Sequence, residues 1–306
     1  MTSVVAAKSG TQWSIEADGQ SAVVVEVGGT LRGYSVGDVQ VLDGFEADEL
    51  SPASAGQILA PWPNRIRDGQ YTFEEQKYQL SLTEPARNNA IHGLVNWSRW
   101  TLVEQNASAL TLEYELPAQI GYPWWLTLRT TWSISAAGLR CDQSVVNNSA
   151  ANAPWGYSVH PYVQLPGVSV DDTLLHVPGS KRIVADARLL PIGAGSVAGT
   201  EFDFTEPRKI GDLVLDSTFG DIAHDADGIT EVTIADPSSD RKVVVWADDK
   251  FKYWQVFTGD TLHGERFRRS VAIEPMTCPP DSFRTGRDLI VLAPGERWTA
   301  SWGIKG

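Results

Sequence analysis

A side-chain period of two, with no helical period competing against it, is the strongest constraint on how this chain can fold. In Leu110-Thr111-Leu112-Glu113-Tyr114-Glu115-Leu116 the apolar side chains fall on one face and Thr, Glu and Glu on the other. Across 126–134, Leu126, Leu128, Thr130, Trp132 and Ile134 share a face in the same way. A strand buried on one side requires this pattern, because successive Cβ atoms point to opposite faces of a sheet. Shorter β-branched or aromatic runs at 22–27, 242–246, 253–257 and 298–304 are each bounded by Gly, Pro, Asp or Asn, as strands are. No segment repeats apolar residues at i, i+3, i+4 and i+7 over three turns. The fold class is predicted to be all-β.

Nothing divides the chain. Its 27 Gly and 17 Pro are spread evenly over 306 residues, with no Ser/Gly-rich linker, short repeat or low-complexity segment. Length alone gives roughly two domains, but all-β folds often run ~200–250 residues or more as one unit. The expectation is one large antiparallel β-sandwich domain over residues 1–306, with longer loops at 51–67 and 258–269. Loops on a rigid sheet are where sites usually lie.

A net charge of −13 argues against nucleic acid and against an anionic membrane surface as partners, since both would repel the chain. The two cysteines, Cys141 and Cys278, are too few for a disulfide framework, and their flanks lack metal-ligand spacing. No metal site is predicted. Residues 1–10 lack the long apolar stretch of a leader, and no later segment approaches ~18 consecutive apolar residues. A cytoplasmic protein is expected. No pattern in the chain fixes its oligomeric state.

Candidate chemistry begins at Glu274, which closes the apolar run Val271-Ala272-Ile273 and precedes Pro275, Pro279, Pro280 and Asp281. A carboxylate ending a hydrophobic strand among residues of fixed φ is poorly solvated and poorly mobile. Desolvation raises its pKa toward neutrality, as a general base needs. Two of the five histidines share such settings, in Ile91-His92-Gly93 and Val159-His160-Pro161-Tyr162. A structural Glu and two hydrogen-bonded core histidines are the alternative reading.

Three further segments stand beside these. Pro61-Trp62-Pro63-Asn64-Arg65-Ile66 stiffens the approach to Arg65, whose planar guanidinium either holds ligand oxygens or bonds loop carbonyls. Asp212 and Asp216 occupy a semi-apolar turn, where they bind hydroxyls or cap the turn. Of the 12 tryptophans most are expected in the core, with a minority in loops free to stack on a sugar ring. Trp155, in Pro154-Trp155-Gly156-Tyr157, is assigned to that minority. Phosphate loops, dinucleotide fingerprints, Gly-x-Ser-x-Gly and His-Glu-x-x-His are all missing, so no cofactor is implied.

Taken in order, Pro61-Trp62-Pro63-Asn64-Arg65-Ile66, Asn89-Ala90-Ile91-His92-Gly93, Val159-His160-Pro161-Tyr162, Ile273-Glu274-Pro275 and Pro280-Asp281 resemble the aldose 1-epimerase (galactose mutarotase-like) family. Each motif is short; their order over most of the chain makes the combination specific. The resemblance implies a β-sandwich of many antiparallel strands with a carbohydrate site in an open cleft. It also implies catalysis by Glu274 as base and His160 as acid. Arg65, His92, Asp216 and Gln255 would hold the sugar, with Asn64 and Trp155 completing the substrate-binding set. The chemistry implied is interconversion of the α and β anomers of a free aldohexose, with a small-molecule sugar as partner and no cofactor.

Two positions depart from the galactose-type pattern. Leu94 stands where a second Gly is common, and Pro161-Tyr162-Val163 replaces Thr-Tyr-Phe. Both flank the site, which leaves glucose, galactose or a phosphorylated, sulfonated or otherwise modified hexose open as substrate. A glycoside hydrolase is one rival, with Glu274 and Asp216 as the two carboxyl groups that such chemistry places ~5–5.5 or ~6.5–9.5 Å apart. A non-catalytic carbohydrate-binding protein is the other.

Overall fold

Two broad antiparallel sheets carry the alternation read from the sequence. The computed structural model describes residues 6–306, so the first five residues of the 1–10 stretch lie outside the described ones. A nine-stranded sheet runs from Thr101–Gln105 through Ala109–Leu116, Leu126–Ser135, Gly138–Asn147, Arg297–Lys305, Lys242–Ala247 and Thr230–Ala235 to Leu174–His176 and Arg208–Lys209. An eight-stranded sheet is ordered Pro191–Ser196, Gly179–Ala185, Asp216–Ile222, Tyr253–Phe257, Val271–Met276, Ser158–Val159 and Ile58–Leu59, with Tyr162–Val163 also pairing with Val271–Met276. A four-stranded sheet begins with Gln12–Ala17 and Gln20–Val25.

The sheets bury one face each against a shared core. Leu126, Leu128, Thr130, Trp132 and Ile134 are all buried, as their common face predicts. Trp132 and Trp302 of the nine-stranded sheet join Phe219, Trp254, Val256 and Ile273 of the eight-stranded sheet in a single apolar cluster. The fold is therefore an all-β sandwich. Boundaries shift by a residue or two: the strand predicted over 22–27 is Gln20–Val25, and that over 242–246 extends to Ala247.

The 51–67 segment departs from its reading as a loop. It contributes Ile58–Leu59, paired with Ser158–Val159, and Arg65–Arg67, paired with Asn89–Ile91. Pairs this short escape a period-two reading, which needs four residues or more. The 258–269 segment is a loop with one 3-10 turn, Gly264–Arg266. Among the described residues no helix is long and apolar enough to cross a membrane.

Gly93 shows how the strands bring one functional segment into place. It has φ +79°, and a Cβ there would lie 2.0 Å from the Ala60 carbonyl oxygen. Leu94 N–H donates to that same oxygen at 2.7 Å. Only glycine permits the backbone after His92 to press this closely on residue 60. Gly93→Ala is expected to lower stability by about 2 kcal/mol or more, read as a reduced urea midpoint at unchanged m-value.

Candidate active site

Strand alternation sets the site. Val256 pairs with Ile273 and both enter the core, so their neighbours Gln255 and Glu274, also paired, project from the opposite face of the eight-stranded sheet. Thr218 pairs with Gln255 from the other side, and Asp216 with Phe257. Three central strands thus align a polar row on one face. Short segments cover that face: Arg65–Arg67 with Asn89–Ile91, the Ser158–Tyr162 stretch, and the 258–269 loop.

Together they enclose a cavity of about 270 Å³ lined by Asn64, Arg65, His92, His160, Asp216, Gln255 and Glu274, with Ser54, Ile91, Tyr162, Phe257, Thr261 and Leu262 among the remaining wall. Its size is near the small end of the roughly 300–1,000 Å³ usual for small-molecule sites. A larger cavity of about 490 Å³, lined by Arg32, Asp43, Glu49, Arg266 and Arg269, contains neither histidine nor Glu274.

Glu274 and His160 meet directly. His160 Nε2 lies 3.3 Å from Glu274 Oε1, and both side chains are buried. The His160 ring stacks on Tyr162 at 4.9 Å between centroids and meets His92 edge-on at 5.7 Å. Glu274 Oε2, His160 Nδ1 and His92 Nδ1 are buried without a hydrogen-bond partner in the protein. Buried polar atoms are nearly always satisfied, so three orphans at one cavity mark a place built to receive hydrogen-bonding groups.

The remaining polar side chains are fixed by one another. Gln255 Nε2 donates to Asp216 Oδ1 and Thr218 Oγ1 to Gln255 Oε1, both at 2.5 Å. Asn64 and His92 hold left-handed backbone, φ 53° and 63°. They are joined, His92 N–H donating to the Asn64 carbonyl at 3.0 Å. Arg65 is locked by Glu84, its Nε donating to Oε2 at 2.9 Å and its Nη2 to Oε1 at 3.0 Å. Asp281 ties the Arg65 strand to the segment after Glu274: its N–H donates to the Arg65 carbonyl at 2.7 Å, and its Oδ1 accepts from Arg67 N–H at 2.9 Å.

Burial dominates the electrostatics. It pushes the Glu274 carboxyl well above the ordinary range, repulsion from Asp216 adds to this, and attraction to Arg65 opposes it. Asp216 is also raised by burial, against the pull of Arg65 and Arg87. His160 is lowered to about 4 and His92 falls well below its usual value, in each case chiefly through burial. All four groups are driven toward their neutral forms.

Trp155 is a correction to the predicted set. It is fully buried in the strand Ala153–Trp155, opposite Ile290, with its ring 6.2 Å from that of Trp298. Flanking Pro154 and Gly156 give it the look of a loop residue, but the segment pairs and the indole fills the core. None of the 12 tryptophans lines the cavity; its apolar wall is Tyr162, Phe257, Leu262 and Ile91. Sequence reasoning also missed Glu84, which sits in the unremarkable polar stretch Thr83-Glu84-Pro85 and carries no signal of its own.

The chain is similar to known proteins over most of its length. The family model described as Aldose 1-epimerase matches residues 11–305. The uncharacterised protein YihR of Escherichia coli K12 is 32% identical over 300 residues, covering 97% of this chain and 94% of that protein. The maltose epimerase of Levilactobacillus brevis is 26% identical over 295 residues, covering 85% and 84% respectively. A galactose mutarotase-like protein from Clostridium acetobutylicum shares the fold, with a TM-score of 0.83, 20% identity and coverage of 95% and 94%.

The raised Glu274 carboxyl has a consequence for stability. Its native pKa exceeds its unfolded value, so the unfolded chain releases that proton first as pH rises. Stability contributed by the protonated form is complete below the unfolded pKa and is lost as pH climbs toward the native one. Glu274→Gln removes this loss. The variant is expected to be more stable than its parent at about pH 8, by an increment that disappears near pH 4; thermal melts at both pH values measure it.

Proposed function

Since the chain belongs to the aldose 1-epimerase family and is thereby an isomerase, we propose that it interconverts the α and β anomers of a free aldohexose. The observation carrying this reading is the 3.3 Å approach of His160 Nε2 to Glu274 Oε1 inside a sugar-sized cavity. We further read the chain as a single-domain cytoplasmic enzyme whose chemistry is done by its own side chains, with neither nucleic acid nor membrane as partner.

Mutarotation removes the proton of the anomeric hydroxyl while another proton reaches the ring oxygen. The ring opens to the aldehyde, the C1–C2 bond rotates, and closure on the opposite carbonyl face gives the other anomer. Glu274 takes the hydroxyl proton and His160 supplies the second one. Arg65, His92, Asp216, Gln255 and Asn64 hold the remaining hydroxyls, so the sugar stays bound through the ring-opened stage.

The proton inventory fits this division. Burial disfavours both charged forms, raising the carboxyl and lowering the imidazole, so a proton shared by the pair favours the carboxyl in the unliganded site. Transfer of that proton to the imidazole gives a carboxylate and an imidazolium, the two states that base and acid require. Sugar hydroxyls donating to Glu274 Oε2 favour the transfer by bonding the charged form. A doubly protonated pair lacks a base and a fully deprotonated pair lacks an acid, so kcat/KM follows a bell in pH whose limbs belong to the pair.

Two substitutions test the roles. Glu274→Gln keeps shape and loses basicity; His160→Asn keeps a polar group and loses the transferable proton. Each is expected to slow exchange about 10²–10⁴-fold, followed by polarimetry or saturation-transfer NMR on freshly dissolved single anomers. Near-parental exchange by Glu274→Gln would remove that residue from the chemistry. Hexose binding by the parent with no acceleration would make the protein a carbohydrate binder instead.

A further inference from the structure

Arg65 is presented to the cavity by a residue that does not line it. Glu84 accepts from four donors: Arg65 Nε and Nη2, Arg87 Nη1 at 3.0 Å and Asn89 Nδ2 at 2.9 Å. The Arg65 and Glu84 side chains are only 10% and 13% exposed. The turn holding Glu84 is closed on itself, since Glu84 N–H donates to the Asn89 carbonyl at 2.9 Å and Asn89 N–H to the Glu84 carbonyl at 3.2 Å. Arg188, from a distant loop, straps it by donating to the Arg87 and Asn88 carbonyls at 2.9 and 2.7 Å. Burial by itself would raise the Glu84 carboxyl; Arg65, Asn89 and Arg87 overcome that and hold it below its ordinary value.

A guanidinium has five N–H donors. In Arg65, one on Nε and one on Nη2 go to Glu84, and one on Nη1 reaches Asn64 Oδ1 at 3.4 Å. One N–H remains on each of Nη1 and Nη2. Two donors held on one rigid plane suit neighbouring hydroxyl oxygens of a sugar. Arg65 lowers both members of the His160–Glu274 pair, and the carboxylate bonded to it carries the opposing charge.

Resting on the anomerase reading above, we infer that Glu84 is a positioning residue: it fixes the Arg65 fork toward the sugar hydroxyls and neutralises it beside the catalytic pair. The two effects separate by substitution. Arg65 grips hydroxyls that are present before and during the reaction, so its misplacement weakens binding without slowing the chemical step. Glu84→Gln is expected to raise KM for the hexose about tenfold with kcat within about twofold. It also leaves Arg65 uncompensated, so the whole pH bell moves to lower pH. The other charged or titratable groups facing the pair, Asp216, His92 and Tyr162, are unchanged in this variant.

Glu84→Asp retracts the carboxylate by one methylene but keeps its charge, and is expected to raise KM while the bell stays in place. In an Arg65→Lys background Glu84→Gln is expected to add little to KM, because the fork it aligns is gone. Parental KM in both Glu84 variants overturns the inference, as does a KM rise of equal size in the Arg65→Lys background. Should Glu84→Gln fail to fold, as judged by its thermal melt, Glu84→Asp decides on KM alone. A parent that accelerates exchange beside Glu84 variants that behave like it condemns the inference and spares the reading. A parent without acceleration condemns the reading, and calorimetric hexose dissociation constants then make the same Glu84 comparison.

Discussion

A carboxyl group removed from water, with no cation bonded to it, is the constraint to which the rest of this site answers. Glu274 is 2% exposed on a strand whose six residues are all buried. Placing a carboxylate there is costly unless its charge is shared or given up. Among the described residues no guanidinium bonds it; Arg65, which lowers it, is already bound to Glu84. What meets Glu274 is an imidazole that burial has also made reluctant to charge. Burial thus moves the two groups in opposite directions, the carboxyl up and the imidazole down, so a proton shared between them favours the carboxyl until something bonds the carboxylate form.

The fold makes this possible by dividing its labour between the two faces of one sheet. Along Val271–Met276 and Tyr253–Phe257, Val271, Ile273, Trp254 and Val256 enter the core, and Gln255, Phe257 and Glu274 beside them form the floor of the cavity. The floor is rigid because each of its strands is paired on both sides. The walls come from short segments held by specific bonds, such as His92 to Asn64 and Asp281 to Arg65. Left-handed backbone at Asn64 and His92 is uncommon outside glycine. It persists here because neighbouring bonds over-determine both positions, as strained residues at functional sites require.

Much of this was legible from residues. The period of two across 126–134 fixes which side chains enter the core, and that face is buried throughout. Glu274 was readable because an acid ending an apolar run needs a reason, and Gly93 because a glycine after histidine permits close backbone approach. Other features were not legible, for physical reasons. Trp155 sits between Pro and Gly, which signal a turn locally, yet pairing with Ile290 across more than a hundred residues decides its place. Glu84 acquires its role only when folding sets it against Arg65. A contact between residues distant along the chain leaves no periodic trace in either segment.

Volume is the wrong guide to chemistry in this molecule, as the charged cavity at Asp43 and the smaller one at Glu274 show. The larger one, near 490 Å³, is rich in charge, but two of its three acids are already engaged: Asp43 accepts from Arg269 and Ser270, and Glu49 accepts from Arg266. It keeps one orphaned donor, Arg32 Nε. The smaller cavity has a carboxyl oxygen and two imidazole nitrogens with no protein partner, beside groups whose pKa values burial has moved in opposite directions. Unsatisfied buried atoms carry a cost that a merely structural arrangement would have removed by pairing them. Retaining three of them on residues around one small space is therefore the stronger mark of function.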